Sequence, residues 1–81
     1  MSSSEQWYER ATEAYFAGRY TEALQAFDEA IRLDPNGSDP WNSKGSVLLD
    51  LGRYNEALQA FEEAIRLDPN DAYQGIVHIR P

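Results

Sequence analysis

Apolar side chains recur every three or four positions along two stretches near the start of the chain, which predicts two amphipathic helices. The first stripe consists of Trp7, Ala11, Ala14 and Tyr15, and the second of Ala23, Leu24, Phe27, Ala30 and Ile31. Alanines let two helix backbones approach closely, while Phe27 fills the space between them. We therefore expect the two helices to pack against each other along these stripes.

Polar residues mark where each of these helices begins. Ser2 with Glu5, and Ser3 with Gln6, both have the spacing of a capping box, in which side chain and backbone cap each other. The first helix is therefore predicted to start near residue 4. Thr21 is expected to cap the second helix through its hydroxyl.

Glycine and proline mark where the two helices end. Gly18 is suited to the left-handed conformation that closes a helix, so the first helix should run to about Ala17. Pro35 disfavours helical geometry in the residue before it, which ends the second helix at Leu33 or Asp34.

The whole pattern returns 34 positions later. Residues 18–36 reappear as residues 52–70 with two differences, Thr21 against Asn55 and Asp28 against Glu62. A fixed period of this length is the signature of stacked repeats. Such uniformity fits recent duplication and consensus-style design equally well.

The period predicts a third and a fourth helix. Asp39 is the expected N-cap of the third, with Pro40 at its first position and Gly52 at its end. Asn55 is the expected cap of the fourth. The predicted buried faces are Trp41, Gly45, Leu48 and Leu49 in the third helix, and Ala57, Leu58, Phe61, Ala64 and Ile65 in the fourth.

The last residues of the chain break the pattern. Gly75 and the β-branched Ile76, Val77 and Ile79 are poor helix formers and fair strand formers. We expect residues 72–81 to form an extended or irregular tail.

Composition narrows the function classes. The 81-residue chain has no cysteine, which excludes disulfides, and a net charge of −7, which argues against binding nucleic acid. It has no apolar run near the ~18 residues needed to cross a bilayer and no signal-peptide pattern at its start. We expect a cytoplasmic protein that associates with neither nucleic acid nor membranes.

Two complete sets of motif residues make the chain resemble the tetratricopeptide repeat family. The first set is Trp7, Ala11, Gly18, Ala23, Phe27, Ala30 and Pro35, and the second is Trp41, Gly45, Gly52, Ala57, Phe61, Ala64 and Pro69. The resemblance implies an all-α solenoid of two helix–turn–helix repeats, residues 4–37 and 38–71, followed by the tail.

The chain departs from the family pattern at two positions of each repeat. Arg10 and Lys44 stand where the family usually has leucine, and Ala14 and Leu48 stand where it usually has an aromatic residue. Family members also usually end in a polar capping helix, which this sequence lacks. The first helices of the two repeats are therefore expected to pack less tightly than in the family.

The resemblance implies a protein-interaction scaffold whose groove, lined by the first helix of each repeat, receives a peptide or a partner helix. Transferred to this sequence, the groove positions are Tyr8, Thr12, Tyr15 and Phe16 in the first repeat and Asn42, Ser46, Leu49 and Asp50 in the second. The alternative interpretation is that these residues form an ordinary exposed helix face.

One subfamily clamps the C-terminal carboxylates of chaperones with lysine and asparagine side chains. Tyr8 stands where that clamp has lysine, and Thr12 stands where it has asparagine. We therefore expect no carboxylate clamp, and the aromatic surface of Tyr8, Tyr15 and Phe16 indicates an apolar or aromatic contact instead.

Candidate chemistry is sparse. His78 is the single histidine, and without cysteine or a second histidine it suggests neither a metal site nor a catalytic base. Glu29 with Arg32, and Glu62 with Arg66, are predicted to form helix-surface pairs. We expect no enzyme activity, no metal and no cofactor.

Two repeats without a cap leave one side of the last helix uncovered, because each repeat buries its apolar face against a neighbour. The tail could cover this side, two chains could associate, or the sequence could belong to a longer array. The alternative function is therefore a self-assembling unit, a homo-oligomer whose contact residues are Leu58, Ile65, Leu67, Ile76, Val77 and Ile79.

Overall fold

The computed structural model describes residues 3–69, and all regular structure within that range is helical. The helices are α1 (Ser4–Phe16), α2 (Tyr20–Leu33), α3 (Ser38–Asp50) and α4 (Tyr54–Leu67). Short connections turn each helix back against the one before it, so α1 packs on α2, α2 on α3 and α3 on α4. This confirms the predicted all-α solenoid. The predicted extended tail lies outside the described residues.

A capping box starts α1 where the sequence predicted one. The Ser3 hydroxyl accepts a hydrogen bond from the Gln6 backbone N–H at 3.3 Å, and the Ser3 N–H donates to the Gln6 side-chain oxygen at 3.3 Å. Of the two predicted pairs, Ser3 with Gln6 forms the box.

Glycine closes α1 and α3 in the same way. Gly18 has a φ of 80° and Gly52 a φ of 78°, the left-handed region in which glycine alone is free of strain. The N–H of Arg19 donates to the carbonyl of Ala14 at 2.8 Å. In the second repeat the N–H of Arg53 donates to the carbonyl of Leu48 at 2.8 Å. These turns confirm both predicted stops.

The predicted caps of α2 and α4 are wrong. Each helix begins two residues earlier than expected, with Arg19 or Arg53 as the N-cap and no capping bond from either side chain. The reason lies in the preceding turn, where the residue after glycine both closes one helix and opens the next. Thr21 and Asn55 therefore fall inside the first turn of their helices.

The predicted start of α3 is also wrong. Gly37 is the N-cap, and α3 begins at Ser38, so Asp39 and Pro40 are its second and third residues. Proline is tolerated there because the first four N–H groups of a helix have no partner within it. The Asp39 carboxylate still lies at the positive end of the helix dipole.

The core is built mostly from alanine. The first cluster joins alanines of α1 and α2 with Phe27 and with Val47 of α3, and the second joins Leu48 to Ala57 and Ala60. Val47 is 0% exposed, although the sequence pattern did not identify it. It links the two helix pairs, because it comes from the second pair and packs within the first.

Three residues predicted to be buried are exposed. Leu49 is 45% exposed, Leu58 58% and Ile65 39%. Leu49 lies on α3 outside both core clusters, and no described element covers the outer side of α4, where Leu58 and Ile65 lie.

Several ion pairs within single helices or at their ends have a spacing of three residues. Arg32 binds Glu29 at 2.6 Å as predicted, whereas the predicted pair of Arg66 with Glu62 is wrong because Arg66 binds Glu63. These contacts lower the pKa of the Glu63 carboxyl and raise that of the Arg32 and Arg66 guanidinium groups, chiefly through the hydrogen bonds.

Candidate functional site

The groove between α1 and α3 contains a small cavity of about 170 Å³. Its lining residues are Tyr8, Thr12, Tyr15, Phe16, Phe27, Ser43 and Ser46. The structure thus brings together all four groove residues predicted on α1 and one of those predicted on α3. Sequence reasoning missed Phe27 and Ser43, because a core aromatic and a short hydroxyl side chain give no groove signal of their own.

Two tyrosine hydroxyls cross from α1 to α3. The Tyr15 hydroxyl donates to a carboxylate oxygen of Asp50 at 2.6 Å, and the Tyr8 hydroxyl lies 3.4 Å from the Ser43 hydroxyl. The hydrogen bond to Asp50 is the main reason why the pKa of Tyr15 is raised above its ordinary value of 10.0. These contacts join the first helices of the two repeats along the groove floor.

The other polar groove residues are turned toward their own helices. The Thr12 hydroxyl donates to the Tyr8 carbonyl at 2.8 Å, and the Ser46 hydroxyl donates to the Asn42 carbonyl at 3.5 Å. Asn42 is exposed and does not line the cavity.

The rim of the groove is aromatic and apolar. Phe16 is 80% exposed, with its ring 5.5 Å from the Tyr15 ring, and Tyr15 lies 5.5 Å from Tyr20. Leu49 adds an exposed aliphatic side chain on α3. Exposed aromatic rings held by neighbouring rings supply contact area at a low cost in side-chain entropy.

One end of the groove is acidic. A larger cavity of about 540 Å³ lies between the N-terminal ends of α1 and α3 and the ends of α2 and α4, and Tyr8 borders both cavities. The carboxylates that line it are those of Glu5, Glu9, Asp34, Asp39 and Asp68. Among the described residues that line it there is no lysine or arginine, so the carboxylates of Glu5, Glu9 and Asp34 favour a positively charged group at this end of the groove.

The described residues contain no group of three or more histidine, cysteine or acidic side chains placed to hold a metal ion. None of the helices within residues 3–69 is long and apolar enough to cross a membrane. Of the predicted self-association residues, Leu58 and Ile65 are exposed and Leu67 is half-buried. Ile76, Val77 and Ile79 lie outside the described residues, as does His78.

Comparison with known proteins gives matches of two kinds. A family model of the tetratricopeptide repeat matches residues 8–72. The crystal structure of MamA is similar over 91% of this chain and 44% of that chain, with 28% sequence identity and a TM-score of 0.85. This chain therefore spans less than half the length of that protein. No curated protein matches the chain.

Proposed function

The chain belongs to the tetratricopeptide repeat family, and from this premise we propose that its α1–α3 groove binds a peptide or helix of a partner protein. Repeats of this family generally mediate protein–protein interactions, and their proteins are generally non-catalytic scaffolds. The observation that carries the proposal is the highly exposed Phe16 ring at the rim of the cavity that Tyr8 and Tyr15 line.

The chemistry of the groove selects the partner segment. Phe16 and Leu49 favour an apolar or aromatic side chain, because burying their exposed surface removes apolar area from water at about 25 cal/mol per Å². The carboxylates of Glu5, Glu9 and Asp34 favour a lysine or arginine of the ligand close to that apolar side chain. We therefore propose a ligand that combines a basic residue with an apolar or aromatic one.

The same electrostatics oppose a carboxylate ligand. Tyr8 and Thr12 occupy the positions at which the chaperone-binding subfamily has its clamp residues, and acidic side chains line the adjoining cavity. A C-terminal carboxylate would lie near Glu5 and Glu9, and none of the described residues lining that cavity is a lysine or arginine that could balance its charge. Free carboxyl-terminal peptides should therefore bind worse than the same peptides with an amidated end.

Selection from a phage-displayed peptide library, followed by titration of the selected peptides, tests this proposal. Phe16→Asp should weaken binding by at least about 10-fold, because it places a charge where apolar contact is made. Leu33→Asp is the matched control, since Leu33 is also exposed but lies on α2 and lines none of the cavities described above. Equal losses in both variants, or selected peptides rich in acidic residues, would refute groove binding.

The alternative, a self-assembling unit, finds support in the exposed Leu58 and Ile65 of α4. It remains a prediction, checked by sedimentation of the full chain over a range of concentrations. A mass that rises with concentration and falls back in Leu58→Asp would favour it over the groove as the main contact surface.

A further inference from the structure

The helices α2 and α4 have almost the same sequence but different surroundings. They differ only at Thr21 against Asn55 and Asp28 against Glu62. Helix α2 is covered on its outer side by α3, whereas no described helix covers the outer side of α4. Leu24 is half-buried between the two core clusters, but its counterpart Leu58 is exposed.

We call Leu58, Glu62 and Ile65 the α4 outer face. Each has a counterpart in α2 at the same position of the repeat, namely Leu24, Asp28 and Ile31. Ile31 is half-buried where Ile65 is exposed, and Phe27 is buried where its counterpart Phe61 is half-buried. The contact that α3 makes with α2 therefore shows which kind of helix fits this face.

Lys44 and Val47 of α3, together with its C-cap residue Leu51, contribute to that contact. The Lys44 ammonium group lies 2.7 Å from a carboxylate oxygen of Asp28, and Val47 and Leu51 pack against the cluster that contains Phe27. They follow one another at i, i+3 and i+7, which places them on one side of a helix. On the α4 outer face, Glu62 carries the negative charge of Asp28.

We propose that the α4 outer face is a second interaction surface, which binds an amphipathic helix of a partner protein. The partner helix carries a lysine or arginine opposite Glu62 and aliphatic residues three and seven positions later. This is helix-in-groove recognition with spaced apolar anchors and one charge pair. It does not depend on the α1–α3 groove, because it uses residues of a different helix.

The first helix of a second copy fits this surface poorly. In the first repeat the counterparts of Lys44, Val47 and Leu51 are Arg10 and Glu13 of α1 and its C-cap residue Ala17. If α1 of a second copy docked on the α4 outer face, Arg10 could still pair with Glu62. The Glu13 carboxylate, however, would take the fully buried position that Val47 has against α2. Burial of an unpaired charge is strongly unfavourable.

Two other occupants are also disfavoured. Packing α4 against α4 of a second copy would bring two Glu62 side chains together in a chain of net charge −7. In residues 72–81 the counterparts of Trp41, Lys44 and Val47 are Gly75, His78 and Pro81. That segment therefore has a basic residue type, His78, at the position of Lys44, but no large apolar side chain at the positions of Trp41 and Val47.

A synthetic helix is the direct probe. It is a capped peptide of about 16 residues, long enough to be helical, with lysine, valine and leucine at i, i+3 and i+7 on an alanine and glutamine background. Its binding to the 81-residue chain is measured by calorimetry and mapped by NMR. We expect shift changes at Leu58 and Ile65, and a loss of at least about 10-fold in Leu58→Asp.

Gln59→Asp is the matched control, because it adds the same charge one residue away. Gln25, the counterpart of Gln59 in α2, is exposed although α3 packs on α2. Gln59 is therefore expected to lie outside the contact between α4 and the probe. Exchanging the lysine of the probe for glutamate should weaken binding about 5-fold, and Glu62→Lys in the protein should reverse that preference. Phe16→Asp, which tests the groove, should leave probe binding unchanged.

Three results would overturn this inference. One is that Leu58→Asp binds the lysine probe as well as the native chain does, and that the native chain binds the lysine and glutamate probes equally. Another is a concentration-dependent dimer that excludes the probe and dissociates in Leu58→Asp, since a second copy would then occupy the face. The third is binding that occurs only after Ile76, Val77 and Ile79 are replaced by serine, since the chain's own end would then cover it.

Discussion

Gly45 of α3 lies so close to Phe61 of α4 that a Cβ atom at Gly45 would be 2.7 Å from a carbon of the phenylalanine ring. That separation is well inside van der Waals contact. The first repeat has Ala11 at the corresponding position, fully buried in the cluster that contains Phe27. The two repeats therefore pack their helix pairs differently, despite their nearly identical second helices.

Gly45→Ala should lower the free energy of unfolding by about 1 kcal/mol. Overpacking a core position costs about 1–3 kcal/mol. Replacing glycine by alanine within a helix returns up to about 1 kcal/mol. Urea unfolding followed by circular dichroism measures the net change.

The control for this prediction is the same substitution in a Phe61→Leu background. With the ring removed, Gly45→Ala should raise the stability, because only the gain in helix propensity remains. Stabilisation by Gly45→Ala in the native background would show that the Phe61 ring moves aside at little cost.

Periodicity alone was sufficient to predict the helices, both glycine stops and most of the alanine core. Periodicity by itself gives Leu24 and Leu58 the same environment, and only the stacking argument, by which the last helix lacks a neighbour, predicted that Leu58 and Ile65 would lie on an uncovered side. Val47 was missed because its partners lie in the other repeat. The predicted caps at Thr21 and Asn55 were wrong because the tight turn after each glycine makes the next residue, Arg19 or Arg53, the N-cap. Residue propensities do not describe this turn geometry.

The groove was predicted by resemblance and not by pattern. The family pattern identified the faces of α1 and α3, but the pairing of Tyr15 with Asp50 depends on the distance between these helices. The acidic cavity was not predicted at all, since its carboxylates come from four separate helix ends that only the fold brings together.

Tyr15 is expected to make stability fall in alkaline solution. Its pKa is raised by the hydrogen bond to Asp50, so the folded chain holds the phenolic proton more tightly than the unfolded chain. The resulting stability is complete below the unfolded pKa of about 10 and is lost as the pH rises through the folded value. Because the hydrogen bond between Tyr15 and Asp50 is exposed to solvent, the effect should stay below about 1 kcal/mol.

Unfolding of native chain and Tyr15→Phe at neutral pH and above pH ~10.5 measures this contribution. The difference between the two proteins should shrink at the higher pH, since the native hydrogen bond is lost there. Asp50→Asn retains an acceptor but removes the charge, and it should bring the pKa of Tyr15 closer to its ordinary value. An unchanged pKa of Tyr15 in Asp50→Asn would show that the negative charge of Asp50 is not the cause.

Val47→Ala should lower the free energy of unfolding by about 1.5–2.5 kcal/mol, from lost burial and the cavity left behind. Since Val47 is the buried residue of α3 that packs among α1 and α2, hydrogen exchange should accelerate most at the junction between the repeats. Leu49→Ala is the control, expected to cost less than about 0.5 kcal/mol because Leu49 is exposed. Equal costs would mean that Val47 does not couple the two repeats.

The last prediction concerns the side of α1 that corresponds to the side of α3 in contact with α2. It also has a cation over a tryptophan, but it lacks large apolar side chains at the positions of Val47 and Leu51. Arg10 lies over the Trp7 ring at 5.0 Å, as Lys44 lies over Trp41 at 5.2 Å. Glu13→Val with Ala17→Leu would supply the missing apolar contacts, so copies should stack head to tail onto α4. Sedimentation should show a mass that rises with concentration, reversed by adding Leu58→Asp. A variant that stays monomeric would show that the Glu13 carboxylate is not what prevents stacking.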